Sequence, residues 1–165
     1  MVPTDNQRTI PRLALVVVAL IVIGRIAVEL IPEKKAHPAA EAQSLVHWVP
    51  LGEAKARAAQ SQKMILYEFS AAWCGPCRLM EREVFADARL ATRINTEFVP
   101  VHVVDRQQED GSNPPDVDRV QSLYEVRAFP TLIVADANGS FIGRVEGYGG
   151  PAAFEHFIDA PRTSH

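Results

Sequence analysis

An α/β domain with a mixed central sheet flanked by helices, carried behind one N-terminal transmembrane helix, is the architecture the sequence predicts. Three observations predict it. Residues 13–31 form a nearly unbroken apolar segment; beyond residue 44, short apolar runs of strand type alternate with segments of helical spacing; and the last two strand runs flank Asn138-Gly139, a hairpin signal. The 165 residues are 47% hydrophobic with 9 Gly and 12 Pro, enough for one core of ordinary domain size and unlike a collagenous or disordered chain. A formal charge of -3 offers no basic surface to follow a phosphate backbone, which argues against nucleic acid as a partner.

The first element is the apolar segment. Residues 13–23 (LALVVVALIVI) hold no polar side chain, and residues 24–31 (GRIAVELI) add only Arg25 and Glu29 as charges. As a helix rising about 1.5 Å per residue, this segment can cross a hydrocarbon core of about 30 Å. Arg25 and Glu29 stand four apart and can pair, and an arginine near the far side can reach the headgroups. A cleaved signal sequence is the competing reading, with Arg8 and Arg12 as its basic start and Ala40-Glu41-Ala42 as a small-residue processing site. The long stretch between Ile23 and Ala42 favours the anchor, and a buried core helix would lack a polar face for water. Arg8 and Arg12 are matched by Lys34 and Lys35, so charge alone does not orient the segment. A short N-terminal tail, residues 1–12, usually stays in the cytoplasm and sends the rest across, which places the bulk of the chain in the periplasm or an equivalent exterior.

Residues 32–43 (PEKKAHPAAEAQ) have neither period and read as a spacer, so the folded domain spans residues 44–165. Helix formers fill residues 52–61, and residues 63–69 (KMILYEF) read as a buried strand. A helix is expected over residues 76–85, and Asp87 can cap another running to Asn95. Residues 98–104 (FVPVHVV) form the second strand, and the polar, Pro/Gly-broken stretch 106–118 reads as a loop. Helical spacing resumes over 117–126, strands follow at 131–135 and 140–146, and a helix over 151–158 opens on Pro151.

Chemistry concentrates at Trp73-Cys74-Gly75-Pro76-Cys77, where a strand ends and a helix begins. These are the two cysteines of the chain. Two intervening residues bring both sulfurs within one helical turn, so a disulfide can open and close without moving the fold. Cys74 at the helix start feels unpaired N–H groups and the positive end of the dipole, which favours its thiolate and makes it the attacking nucleophile. Cys77, a turn deeper, is the resolving thiol. Zinc would need two more ligands, and His102 and His156, on apolar-patterned segments, suit packing roles better. An inert disulfide across so small a loop would contribute little entropy.

With Phe129-Pro130-Thr131 downstream and Gly147 after the last strand, this motif resembles the thioredoxin family over residues 48–159. The resemblance implies a thioredoxin fold, a redox-active Cys74–Cys77 disulfide with no other cofactor, and a cis Pro130 against that disulfide. It also implies a substrate surface from Trp73, Gly75, Pro76 and the backbone of Phe129. The family keeps a buried carboxylate six residues before the first cysteine, which matches Glu68. As the lone ionisable group of an apolar strand, Glu68 is a candidate to take the proton of Cys77, although alternation alone would also let it face outward. Glutamate here replaces the family's aspartate, and no lysine occurs in residues 98–104 to partner it. The stretch Glu81-Arg82-Glu83-Val84-Phe85-Ala86-Asp87, with Leu90 and a longer loop before Pro130, is similar to the C-terminal domain of DsbD-type thiol:disulfide interchange proteins. The Gly-Pro pair instead matches reducing thioredoxins.

Together these readings predict a thiol:disulfide oxidoreductase on the outer side of the cytoplasmic membrane. It would reduce protein disulfide clients and be re-reduced by a membrane electron donor, with loop 106–118 selecting partners. A disulfide oxidase or isomerase using the same residues, or a non-catalytic client-binding assembly factor, are the alternatives.

Overall fold

The structure is a computed structural model that describes residues 43–160. The expected anchor at 13–31 and nearly all of the spacer lie outside the described residues. Among the described residues, no helix is long and apolar enough to cross a membrane.

A single 3-10 turn, Leu51–Glu53, leads into α1 (Ala54–Ser61), whose Ala54 and Ala58 are four apart and both buried. The apolar run that follows forms β1 (Met64–Ala71), two residues longer than expected at its end. Helix α2 (Gly75–Met80) continues into a wide π turn, Glu81–Phe85, rather than the uniform helix the spacing predicts. The Ala86 N–H reaches the Glu81 carbonyl at 2.9 Å, five residues back, and the turn buries Val84 and Phe85 together. Asp87 caps α3 (Ala88–Glu97) by accepting from the Leu90 N–H at 2.9 Å, and β2 (Phe98–Asp105) follows.

The stretch 106–118 is only partly a loop. It contains a helical turn, α4 (Gln107–Asp110), and the start of α5 (Pro115–Leu123). Proline lacks an N–H that the first turn of a helix would leave unbonded anyway, and Asp116 and Asp118 meet the positive end of its dipole; the residues that read as loop-breaking begin a helix. Buried Asp105 pins the excursion, its carboxylate accepting from Asn113 Nδ2 at 2.8 Å, Gln121 Nε2 at 3.0 Å and the Gln107 N–H at 3.1 Å. The chain then forms β3 (Thr131–Ala135), a turn built on Asp136, β4 (Phe141–Glu146) and α6 (Pro151–Asp159).

These strands make one mixed sheet in the order β2-β1-β3-β4. β1 and β2 run parallel, as a helical crossover requires, while β3 is antiparallel to β1 and β4 to β3. Alternation sorts the side chains into two cores. Leu66, Phe98, Leu132 and Val134 pack with Met80, Phe85, Leu90, Ile94, Phe154 and Ile158 on one face. Ile65, Tyr67, Phe69, Val101 and Ile133 pack with Ala54, Ala58, Val120 and Tyr124 on the other. Covered on both faces, β1 has no outward side to offer a charged residue.

Candidate redox site

The site forms where β1 ends. Ala71 accepts from the Cys74 N–H at 3.0 Å, closing a tight turn that delivers Cys74 to the start of α2, and Arg78 Nη1 braces the turn on the Ala72 carbonyl at 2.8 Å. Cys74 and Cys77 are joined as a disulfide, their Cα atoms 5.3 Å apart. Cys74 is the N-cap of α2, and its Sγ accepts the Cys77 N–H at 3.1 Å. A thiolate at that position would receive the same bond, so the geometry favours negative charge on Cys74.

The place expected for Cys77 one turn deeper brings no difference in access, since Cys74 is 2% exposed and Cys77 is 7%. Ala71 is buried in one cluster with the two cysteines, and Phe129 packs against that cluster. The two cysteines are distinguished by capping, not by access. Trp73 stands at the rim, 49% exposed, with its ring 5.8 Å from that of Phe129 and tilted 68° to it. Gly75 and Pro76 are exposed beside it, and Phe129 is half-buried. This leaves a small apolar shelf over the disulfide. The Phe129–Pro130 bond is cis, and Pro130 is buried. Its carbonyl accepts the N–H of Gly147 at 2.7 Å, and Gly147 has a φ of 79°, a conformation that excludes most side chains at that turn.

Glu68 lies on the face of β1 that packs against α2, on the side of Leu66 and Leu132, and its side chain is 2% exposed. The outward-facing alternative is thereby excluded. Burial, reinforced by the Glu81 carboxylate, pushes its pKa up to about 8 against a weaker opposing hydrogen bond from Ser70. In register with Glu68 on β2 is His102, with Nε2 3.0 Å from Glu68 Oε2. That approach is out of line for a hydrogen bond, leaving Oε2 without one, while the same Nε2 lies 2.6 Å from Ser70 Oγ. Sequence reasoning assigned His102 to packing. The available signal was a polar residue at the same depth of the neighbouring strand as Glu68. His156, read the same way, is exposed on α6.

Comparison with known proteins agrees with this geometry. A family model described as a thioredoxin-like domain matches residues 51–161. The chain is 33% identical over 88 residues to thioredoxin H2 of Arabidopsis thaliana, covering 53% of this chain and 56% of that protein. It is 26% identical over 105 residues to the thiol:disulfide interchange protein DsbD of Photorhabdus laumondii, covering 62% of this chain but 17% of that protein. It thus spans about half the length of the first relative and less than a fifth of the second. Among solved structures, DsbH oxidoreductase shares the fold at a TM-score of 0.63 and 21% identity, over 86% of this chain and 99% of that one. With the family model spanning most of the chain and both cysteines inside it, the chain belongs to the thioredoxin-like family and carries its Cys74–Cys77 disulfide within that domain.

Proposed function

We propose that the protein is a membrane-anchored thiol:disulfide reductase, acting on protein disulfides on the outer side of the cytoplasmic membrane. The observation that carries the reading is the cysteine pair at the start of α2, with Cys74 Sγ capping the helix. The Cys74 thiolate attacks one sulfur of a client disulfide, forming a mixed disulfide and releasing the other client sulfur as a thiolate. Cys77 then gives its proton to the Glu68 carboxylate and attacks Cys74 Sγ. The intramolecular disulfide closes, the second client thiolate departs, and water protonates both client thiolates. Two electrons pass from the pair to the client, so no soluble cofactor is needed. Trp73, Gly75, Pro76 and Phe129 form the shelf on which the client lies, beside Pro130. Both cysteines of the chain lie in this pair, so residues 13–31 cannot carry electrons across a membrane. A membrane electron donor must restore the dithiol.

Trapping tests the roles. Cys77→Ser should accumulate clients as covalent adducts on non-reducing gels, and Cys74→Ser should trap none, since the first attack never occurs. Adducts confined to the Cys74 variant would reverse the two roles, and unimpaired function of a double serine variant in cells would replace reduction with client holding. Direction is read from the reduction potential: a value near roughly -270 mV makes the protein a reductant, and one near roughly -120 mV makes it an oxidant.

A further inference from the structure

Glu68 can serve as a base only while ionised, yet its surroundings hold it neutral. At neutral pH burial and the nearby Glu81 keep the proton on it, and Glu81 is itself raised by burial, with Ser44 opposing. His102 is the titratable side chain beside it. Its Nε2 is 3.0 Å from Glu68 Oε2 and 2.6 Å from Ser70 Oγ, while its side chain is 34% exposed, so the ring bridges the buried carboxyl and the solvent. Trp48 covers the ring at 5.3 Å, itself held by a hydrogen bond from its Nε1 to Ser44 Oγ at 3.1 Å. Around the pair, among the described residues, stand Ser70 on β1, Glu81 on the π turn, and Ser44 and Trp48 on the N-terminal segment.

We infer that His102 is the positioning residue that makes Glu68 a base: through the Ser70 hydroxyl, which hydrogen-bonds both groups, it takes the carboxyl proton onto Nε2 before Cys77 reacts and later releases it to water. The inference rests on the proton role proposed above for Glu68. Proton transfer converts two neutral groups into an ion pair 3.0 Å apart, and attraction in a low-dielectric setting offsets the cost of charging each one. Burial lowers the basicity of His102, which returns the proton readily once the pair has served. The balance closes. The Glu68 proton moves to His102, the Cys77 proton moves to the vacated carboxylate, and the imidazolium sheds one proton to solvent.

The test uses the full chain in detergent and a disulfide-bonded peptide carrying a fluorophore and quencher, with attack and resolution timed separately. Attack alone is read in the Cys77→Ser background. His102→Gln keeps a polar group but cannot titrate. Resolution should slow about tenfold near pH 7, less than the roughly hundredfold or more of a direct acid–base group, and attack should be unchanged. The deficit should close above about pH 8, where Glu68 loses its proton to water unaided. Added imidazole should restore His102→Ala and leave Glu68→Gln slow. Parental resolution and pH profile in His102→Gln, with Glu68→Gln still slow, would overturn the role of His102 while leaving that of Glu68 standing. Parental rates in Glu68→Gln would remove both. Equal slowing of attack and resolution at every pH, unrelieved by imidazole, would show that His102 only supports the fold.

Discussion

Burial favours the neutral form of Glu68 whereas its proposed role needs the charged one, so stability and activity should respond to pH in opposite directions. In the unfolded chain the carboxyl ionises near 4.5, whereas in the folded protein it keeps its proton until about 8. Between those values the folded state binds more protons, so the contribution of Glu68 is fully present below pH 4.5 and is lost as pH rises through about 8. Glu68→Gln should therefore stabilise the protein by a few kcal/mol, roughly 2–4, at pH 7.5, and this gain should vanish near pH 4. Urea denaturation at the two pH values measures it; equal stability of parent and variant at pH 7.5 would show that the buried carboxyl is not held against its charge. The same substitution should slow the resolution step, separating foldability from turnover in one side chain.

The elements are held by small polar devices that act locally. Asp87 satisfies the exposed start of α3, and Asp87→Ala should cost about 1 kcal/mol in thermal or urea melts. Asp105 anchors a larger unit, with three donors from Gln107, Asn113 and Gln121 converging on one carboxylate. Desolvation pushes its pKa up, but the three hydrogen bonds outweigh it and the net direction is down from 3.8. The sign is opposite to that of Glu68: this stabilisation is present above pH 3.8 and lost as pH falls through the lower folded value. Asp105→Ala should cost about 1–3 kcal/mol and speed amide hydrogen exchange in residues 106–114 first. Because Asp105 pairs with Ala71 at the end of β1 from which the cysteine turn springs, a loosened excursion should also change the choice among the proposed disulfide clients.

At the scale of the whole molecule, the proposed reductase consists of a redox domain and a separate segment that localises it. If residues 13–31 span the membrane, the full-length chain should fractionate with membranes, and protease added outside the cytoplasmic membrane should digest the domain. A soluble mature form beginning near Gln43 would show that the segment is a cleaved signal, with the thiol chemistry intact.

Much of this was legible because its physics is local. The cysteine motif, the cap at Asp87, the strand at 131–135 and the hairpin at Asn138-Gly139 depend on neighbours a few residues away, and the structure places each as expected. Glu68 could be nominated from its lone place in an apolar strand, but its direction could not be fixed by alternation, because a sheet covered on both faces has no solvent side. His102 was read as packing because its partner lies 34 residues earlier, and only parallel pairing in one register brings the two strands level. Phe129, which packs against the buried cluster of Ala71, Cys74 and Cys77, comes from far along the chain. The sequence by itself determined which groups can react and where the elements begin; register and the packing of both faces decided which group each one meets, since those contacts join residues that no local preference relates.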